Sequence, residues 1–344
     1  MSMASFFGRQ GRLLWGRRLS LSVPIASPAG LAFSMWYSQG EKKAPTQLPL
    51  SNWTLDCGVV GVPKDAKAPM TYLKKPATPD GCGEDSYSIA ENDFQIVLGV
   101  ADGVGGWRSK GIDPSKFSRS LMRHLEAVVM GESEDPKKRF GSESKEPVAL
   151  MSPATLMKKA FWRMINAYHA GREQPFGSST VCIVSLEKST GILDAANLGD
   201  SGFLVLRGPH IVLRSPIQQH RFNAPYQLTL APDGTVSEVT NAAATQSLEM
   251  QTGDIVVVGT DGLWDNLYED QVVGIVHKEM GENGWTPQGV ARELVREARR
   301  LGEQDDYESP FCVEGRRHGH GRLGGKLDDI TVMVAAVQHI QNKE

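Results

Sequence analysis

Acidic residues at the ends of apolar runs constrain this 344-residue chain more than any other feature of it. Ala101-Asp102-Gly103-Val104-Gly105-Gly106 follows the run from Phe94 to Val100. Thr260-Asp261-Gly262-Leu263-Trp264-Asp265 follows Ile255 to Val258, and Asp328-Asp329 directly precedes Ile330 to Val337. A further acidic segment, Gly83-Glu84-Asp85-Ser86, lies just upstream of the first of these. Apolar runs bounded by turn residues read as buried strands. Carboxylates at strand ends, with no His or Cys beside them, suit hard cations that prefer oxygen ligands. A single Asp-Gly pair is ordinarily a turn. The case for a metal centre rests on the set, each member abutting a buried strand.

The hydrophobic content of 40% is enough for one large domain with a sizeable core. A net charge of -3 excludes a broad basic surface for nucleic acid. Cys57, Cys82, Cys182 and Cys312 are scattered and form no CxxC pair, which argues against structural zinc and for free thiols in a reducing compartment.

The first 40 residues differ from the rest. They carry Arg9, Arg12, Arg17 and Arg18, no acid before Glu41, and apolar residues and serines in between. That composition matches a mitochondrial transit peptide and predicts a mitochondrial, matrix location. A secretory signal, a disordered tail and a membrane anchor are the alternatives. Pro24 and Pro28 interrupt the apolar stretch from Leu19 to Tyr37, so no stable membrane span is expected. Residues 41–52, with Pro45 and Pro49, read as a linker, 53–338 as the catalytic domain and 339–344 as a C-terminal tail.

Strands are predicted at Phe94 to Val100, Thr180 to Leu186, Phe203 to Leu206, His210 to Leu213, Ile255 to Gly259 and Ile330 to Val337, with a hairpin turn at Lys188-Ser189-Thr190-Gly191. Asp113-Pro114, Ser152-Pro153 and Thr286-Pro287 each announce a helix, because the side-chain oxygen can cap free amides while proline sits harmlessly at the helix start. Segments 131–150 and 302–326 read as flexible. His318 and His320 in the latter are better read as surface residues than as a metal pair, since two ligands do not close a site. Strands outnumber helices without alternating with them, which favours an α+β fold of two sheets covered by helices.

Phosphate-ester hydrolysis needs charge neutralised on the phosphoryl oxygens and a nucleophile available at neutral pH. Two divalent ions held about 3.5–4 Å apart supply both. Asp102, at the end of an apolar strand, is rigid enough to bridge such a pair. Gly103 after it lets the main chain approach and offer its carbonyl. Asp261-Gly262 repeats the device, and Asp328 closes the cluster from a third strand. Asp200, in Asn197-Leu198-Gly199-Asp200-Ser201, can add a carboxylate.

These segments, with Gly177-Ser178-Ser179-Thr180, together and in this order resemble the metal-dependent Ser/Thr protein phosphatases of type 2C. The matching pieces span residues 53 to 338. Gln218 to Leu228 (QQHRFNAPYQL) further resembles the mitochondrial branch of that family, the T-cell activation protein phosphatase 2C homologues. The resemblance implies a central β-sandwich of two mostly antiparallel sheets flanked by helices, a four-layer αββα fold, with the metals at one end. It implies two manganese or magnesium ions bridged by Asp102, the Gly103 carbonyl on one, and Asp261 and Asp328 on the other. Glu84 would act through water, and Asp200 and Asp265 would serve a weaker third ion. It implies direct attack on phosphorus by a hydroxide held on the ions, without a phosphoenzyme. The catalytic residues would be Asp102, Asp261 and Asp328, and the substrates phosphoserine and phosphothreonine on mitochondrial proteins.

Two positions depart from the family pattern. Val104 stands where the family often has a His that protonates the leaving alkoxide, and general acid catalysis is worth about 10²–10⁴-fold. Asp80 stands where many members have a phosphate-holding Arg. His220 is a speculative replacement acid, though a surface histidine is its plainer reading. These departures motivate a second hypothesis, a pseudophosphatase that binds phosphoproteins as a scaffold. Crowded carboxylates, which repel one another without a cation, argue against it. A third reading is a hydrolase of a small phosphorylated metabolite, selected by a flap formed from residues 215–250.

Overall fold

A strand that is apolar on both faces must be covered on both faces, and several strands here are. In the computed structural model, which describes residues 53–66, 78–133, 148–237 and 240–340, β3 and β14 are buried along nearly their whole length. In chain order, β1 (Trp53–Val62) precedes the hairpin of β2 (Asp85–Glu91) and β3 (Gln95–Asp102). Helices α1 (Ser115–Val129) and α2 (Pro153–His169) follow. Then come β4 (Gly177–Ser179), β5 (Val181–Glu187), β6 (Ile192–Leu198), β7 (Gly202–Arg207) and β8 (His210–Arg214). The short strands β9 (Gln219–Arg221), β10 (Ala224–Pro225), β11 (Leu228–Leu230) and β12 (Val236–Ser237) lead to β13 (Ala244–Glu249) and β14 (Ile255–Gly259). The last part holds α3 (Asp261–Trp264), α4 (Glu269–Met280), α5 (Pro287–Gly302), α6 (Pro310–Arg317) and β15 (Ile330–His339).

Two five-stranded antiparallel sheets carry the fold, ordered β1-β15-β14-β7-β8 and β13-β6-β5-β3-β2. Side chains alternate along each strand. On β14, Val256 and Val258 point into the core between the sheets, with Leu98, Val184, Val205 and Met333. Ile255 and Val257 point the other way, onto Val290, Leu294 and Val295 of α5. Helices α1 and α2 cover the outer face of the second sheet through Phe117, Leu121, Met157 and Phe161. This is the four-layer αββα sandwich of the α+β class.

All six apolar runs form strands, with ends displaced by one or two residues at most. The caps are also in place. Ser152 Oγ accepts from the Thr155 amide at 3.3 Å, Thr286 Oγ1 from Gly289 at 3.1 Å, and Asp113 Oδ1 from Ser115 at 3.0 Å. One expectation is corrected. Segment 302–326 is not wholly loop, because it contains α6, whose start is capped by Ser309 Oγ accepting from the Cys312 amide at 3.1 Å. His318 and His320 lie beyond that helix, stacked on Phe222 with ring centroids 5.7 and 5.1 Å away. The four cysteines are free, and burial pushes the Cys57 and Cys82 thiols up to about 12, so neither is a nucleophile at neutral pH. No described helix is long and apolar enough to cross a membrane. The arginine-rich segment 1–40, the linker 41–52, most of 131–150 and the last four residues of the expected tail lie outside the described residues.

Candidate metal centre

Three chain turns at one end of the sandwich bring carboxylates together. Asp102 is the last residue of β3 and pairs across the sheet with Asp85 on β2. Its amide donates to Thr180 Oγ1 at 3.3 Å and its carbonyl accepts from the Thr180 amide at 3.0 Å, so strand pairing continues to the ligand itself. Asp200 sits in the turn from β6 to β7. Gly199 before it has φ +107°, and a Cβ there would lie 2.7 Å from both Thr180 Cγ2 and the Tyr226 carbonyl oxygen, so only glycine fits this turn. Asp261 opens α3 immediately after β14. Carboxylate oxygens of Asp102, Asp200 and Asp261 lie within 4.8 Å of one another.

That cluster has the chemistry of a divalent-cation site. All its side-chain donors are oxygen, which suits manganese or magnesium. Asp200 Oδ2 accepts from Gln219 Nε2 at 2.9 Å, while its buried Oδ1 has no hydrogen-bond partner among the described residues. Burial, and then repulsion from Asp261, Asp85, Asp328 and Asp200, hold the Asp102 carboxyl well above the ordinary carboxylate range. Asp200 is pushed up to about 6 and Asp265 to about 7, burial again being the largest cause. Acids crowded until they resist ionisation are acids that a cation would relieve.

The remaining expected residues surround this core. Gly103 carries its amide to the Glu84 carbonyl at 3.2 Å, and a Cβ there would meet that oxygen at 2.7 Å and the Pro114 carbonyl at 2.8 Å. The Glu84 side chain is buried between two cations, Lys64 Nζ at 2.6 Å and Arg108 Nε at 2.5 Å. Asp328, expected with Asp102 and Asp261, is close enough to raise the Asp102 carboxyl. It takes the Lys64 and Lys326 ammoniums, each at 3.2 Å, and these hold its carboxyl below the ordinary range although burial opposes them. Asp265, expected with Asp200, instead bonds Lys326 Nζ at 2.7 Å. Asp200, expected only at a weaker site, belongs to the converging three.

Several residues went unanticipated. Asp85 is buried, accepts from Thr260 Oγ1 at 2.8 Å and has its carboxyl raised by burial and then by Asp329. Asp329 bridges two segments, accepting from the Lys64 amide at 2.7 Å and the Glu84 amide at 3.0 Å. Both acids were visible in the motifs, as neighbours of Glu84 and Asp328. Lys64 and Arg108 carried no motif signal; Lys326 opens the segment Lys326-Leu327-Asp328-Asp329-Ile330-Thr331, but no role was read from it. His220 is exposed, its ring 4.3 Å from Tyr226. It borders a cavity of about 650 Å³ that reaches Asp265 and is also lined by Phe222, Trp264 and Phe311.

The protein phosphatase 2C family pattern matches residues 229–307. The chain is 39% identical to the protein phosphatase PTC7 homolog of Danio rerio, over 74% of this chain and 81% of that protein. It is equally similar to the Homo sapiens PTC7 homolog, over 74% and 79% of the two chains. Among solved structures, the photosystem II phosphatase PBCP superposes with a TM-score of 0.61 at 29% identity, over 82% of this chain and 98% of that one. Sandwich, acidic cluster and sequence thus agree, and the chain belongs to the protein phosphatase 2C family of metal-dependent protein phosphatases.

Proposed function

We propose that this protein hydrolyses phosphoserine and phosphothreonine on mitochondrial proteins, using two manganese or magnesium ions held around Asp102. The observation that carries the reading is the convergence of Asp102, Asp200 and Asp261 to within 4.8 Å of one another. Asp102 also feels the charges of Asp261, Asp85, Asp328 and Asp200, which with burial raise its carboxyl. Asp102, Asp261, Asp328 and Glu84, with the Gly103 carbonyl, are the groups that would hold the ions. Bound ions would neutralise phosphoryl oxygens and lower the pKa of water, supplying a hydroxide at neutral pH.

The chain's own residues do the rest. Strand ends and the α3 turn hold the carboxylates without further adjustment, so little reorganisation is needed at the moment of reaction. Lys64 and Arg108 bring positive charge beside Glu84. Val104 moves no proton, so protonation of the leaving oxygen falls to solvent. The cavity at Asp265 offers room for residues flanking the phosphorylated side chain. The arginine-rich first 40 residues support the mitochondrial assignment.

The test is release of phosphate from a phosphopeptide by the full chain. Wild type is expected to act with manganese and not with chelator. Asp102→Asn is expected to lose at least about 10³-fold, the scale on which several kcal/mol of charge stabilisation act, while retaining its circular dichroism spectrum. Substantial activity in Asp102→Asn contradicts the proposal. A wild-type rate no better than buffer, with the peptide still bound, favours the scaffold reading.

A further inference from the structure

We propose that Lys326 is a resident cation of the metal centre, occupying with its ammonium the place beside Asp261 and Asp265 that an additional metal ion would need. The inference rests on the reading of Asp102, Asp200 and Asp261 as a divalent-cation site. Lys326 Nζ contacts Asp261 Oδ2, lies 2.7 Å from Asp265 Oδ2 and 3.2 Å from Asp328 Oδ2. The ammonium donates to Asp261 and Asp265 and forms an ion pair with Asp328, so one cation meets three carboxylates. Asp261 and Asp265 are four apart across the α3 turn and so share a face. A single charge between them holds both.

This placement is built rather than incidental. Asn266, fully buried, clamps the lysine's backbone from both sides: Lys326 N–H donates to Asn266 Oδ1 at 2.9 Å, and Asn266 Nδ2 donates to the Lys326 carbonyl at 2.8 Å. The same Nδ2 donates to the Gly262 carbonyl at 3.0 Å, tying the lysine to the Asp261-Gly262 turn. The Phe311 ring closes over the ammonium at 5.1 Å, and the lysine side chain is only 16% exposed. An ion entering between Asp261 and Asp265 would have to expel a charge held by backbone, carboxylates and ring together. Asp200, which converges with Asp102 and Asp261, keeps its buried Oδ1 without a hydrogen-bond partner among the described residues. The lysine therefore leaves the Asp102 side free for metal and shuts the Asp265 side, setting how many ions the centre takes.

The test counts manganese bound to the full-length protein, by electron paramagnetic resonance of the free ion and by calorimetry, in wild type, Lys326→Met and Lys326→Gln. Wild type is expected to bind two equivalents. The variants are expected to bind at least one more, or to bind the same ions at least about tenfold more tightly, as removal of a competing charge requires. Equal or weaker binding in the variants overturns the proposal. Should the variants be unfolded in chelator yet fold when manganese is added, a metal is doing the lysine's work and the proposal stands. Failure to fold with manganese present makes Lys326 a structural residue and overturns it. Absence of any manganese on wild type would instead overturn the metal-centre reading beneath it.

Discussion

At the scale of single residues, the centre is a balance between carboxylates that resist ionisation and cations that permit it. Asp200 and Asp265 have ordinary values of 3.8 and folded values of about 6 and about 7. A raised carboxyl holds its proton more tightly in the folded chain. The stability it adds is complete below its unfolded value and is lost as pH rises through its folded value. In chelator, the urea midpoint of the full chain is therefore expected to fall as pH rises from about 4, most steeply between about 4 and 6 where both groups are protonated only in the folded chain, and to level off above about pH 7. Manganese supplies the missing positive charge, so the fall should vanish when it is added. A metal-free protein that grew more stable across that range would refute this account. The acids behind the effect were legible as residues. Their partners were not, because nothing local in Lys64, Arg108 or Lys326 distinguishes them from surface bases until the chain is folded.

At the scale of elements, burial explains what periodicity foretold. The α5 stripe of Val290, Leu294, Ala298 and Leu301 packs against the β1, β14 and β15 side of the first sheet, and Leu294 is completely buried. Leu294→Ala is expected to cost about 2–5 kcal/mol, the range for a leucine cavity that only partly collapses. Manganese-dependent turnover per folded molecule should be unchanged, since the helix lies on the outer face of the sheet. Urea unfolding and an activity assay below the melting range check both halves, and a cost under about 1 kcal/mol would contradict the packing argument. Helices opened by Ser152-Pro153 and Thr286-Pro287 were readable because the cap is local. Helix α4 was not. At its start the Tyr268 amide donates to Gln271 Oε1 at 2.8 Å, and the N-cap residue carries no Ser or Thr signal. Helix α6 was hidden for a different reason: glycines around it read as loop, although Ser309-Pro310 was a cap of the familiar kind.

At the scale of the whole molecule, the arginine-rich segment precedes β1, the first described strand. Residues 1–40 fused to a fluorescent reporter are expected to carry it into mitochondria, where it should resist added protease. Replacing Arg9, Arg12, Arg17 and Arg18 with Gln should abolish import, because amphipathic positive charge is what such segments use. A cytosolic or secreted reporter would remove the mitochondrial part of the proposal and leave the phosphatase part intact.

The sequence by itself determined six of the strands, most of them buried, the α+β class and the identity of nearly every carboxylate at the centre. These follow from alternation, apolar runs and turn chemistry, all of which act between residues close along the chain. Only the tertiary structure decided that Asp200 converges with Asp102 and Asp261, and that Lys326 contacts Asp261 and Asp265. Such choices depend on register between strands, on the turn at Gly199 and on the Asn266 clamp across sixty positions of sequence. Side-chain distances of a few ångströms between remote segments are set by packing the whole sandwich, and no local pattern encodes them.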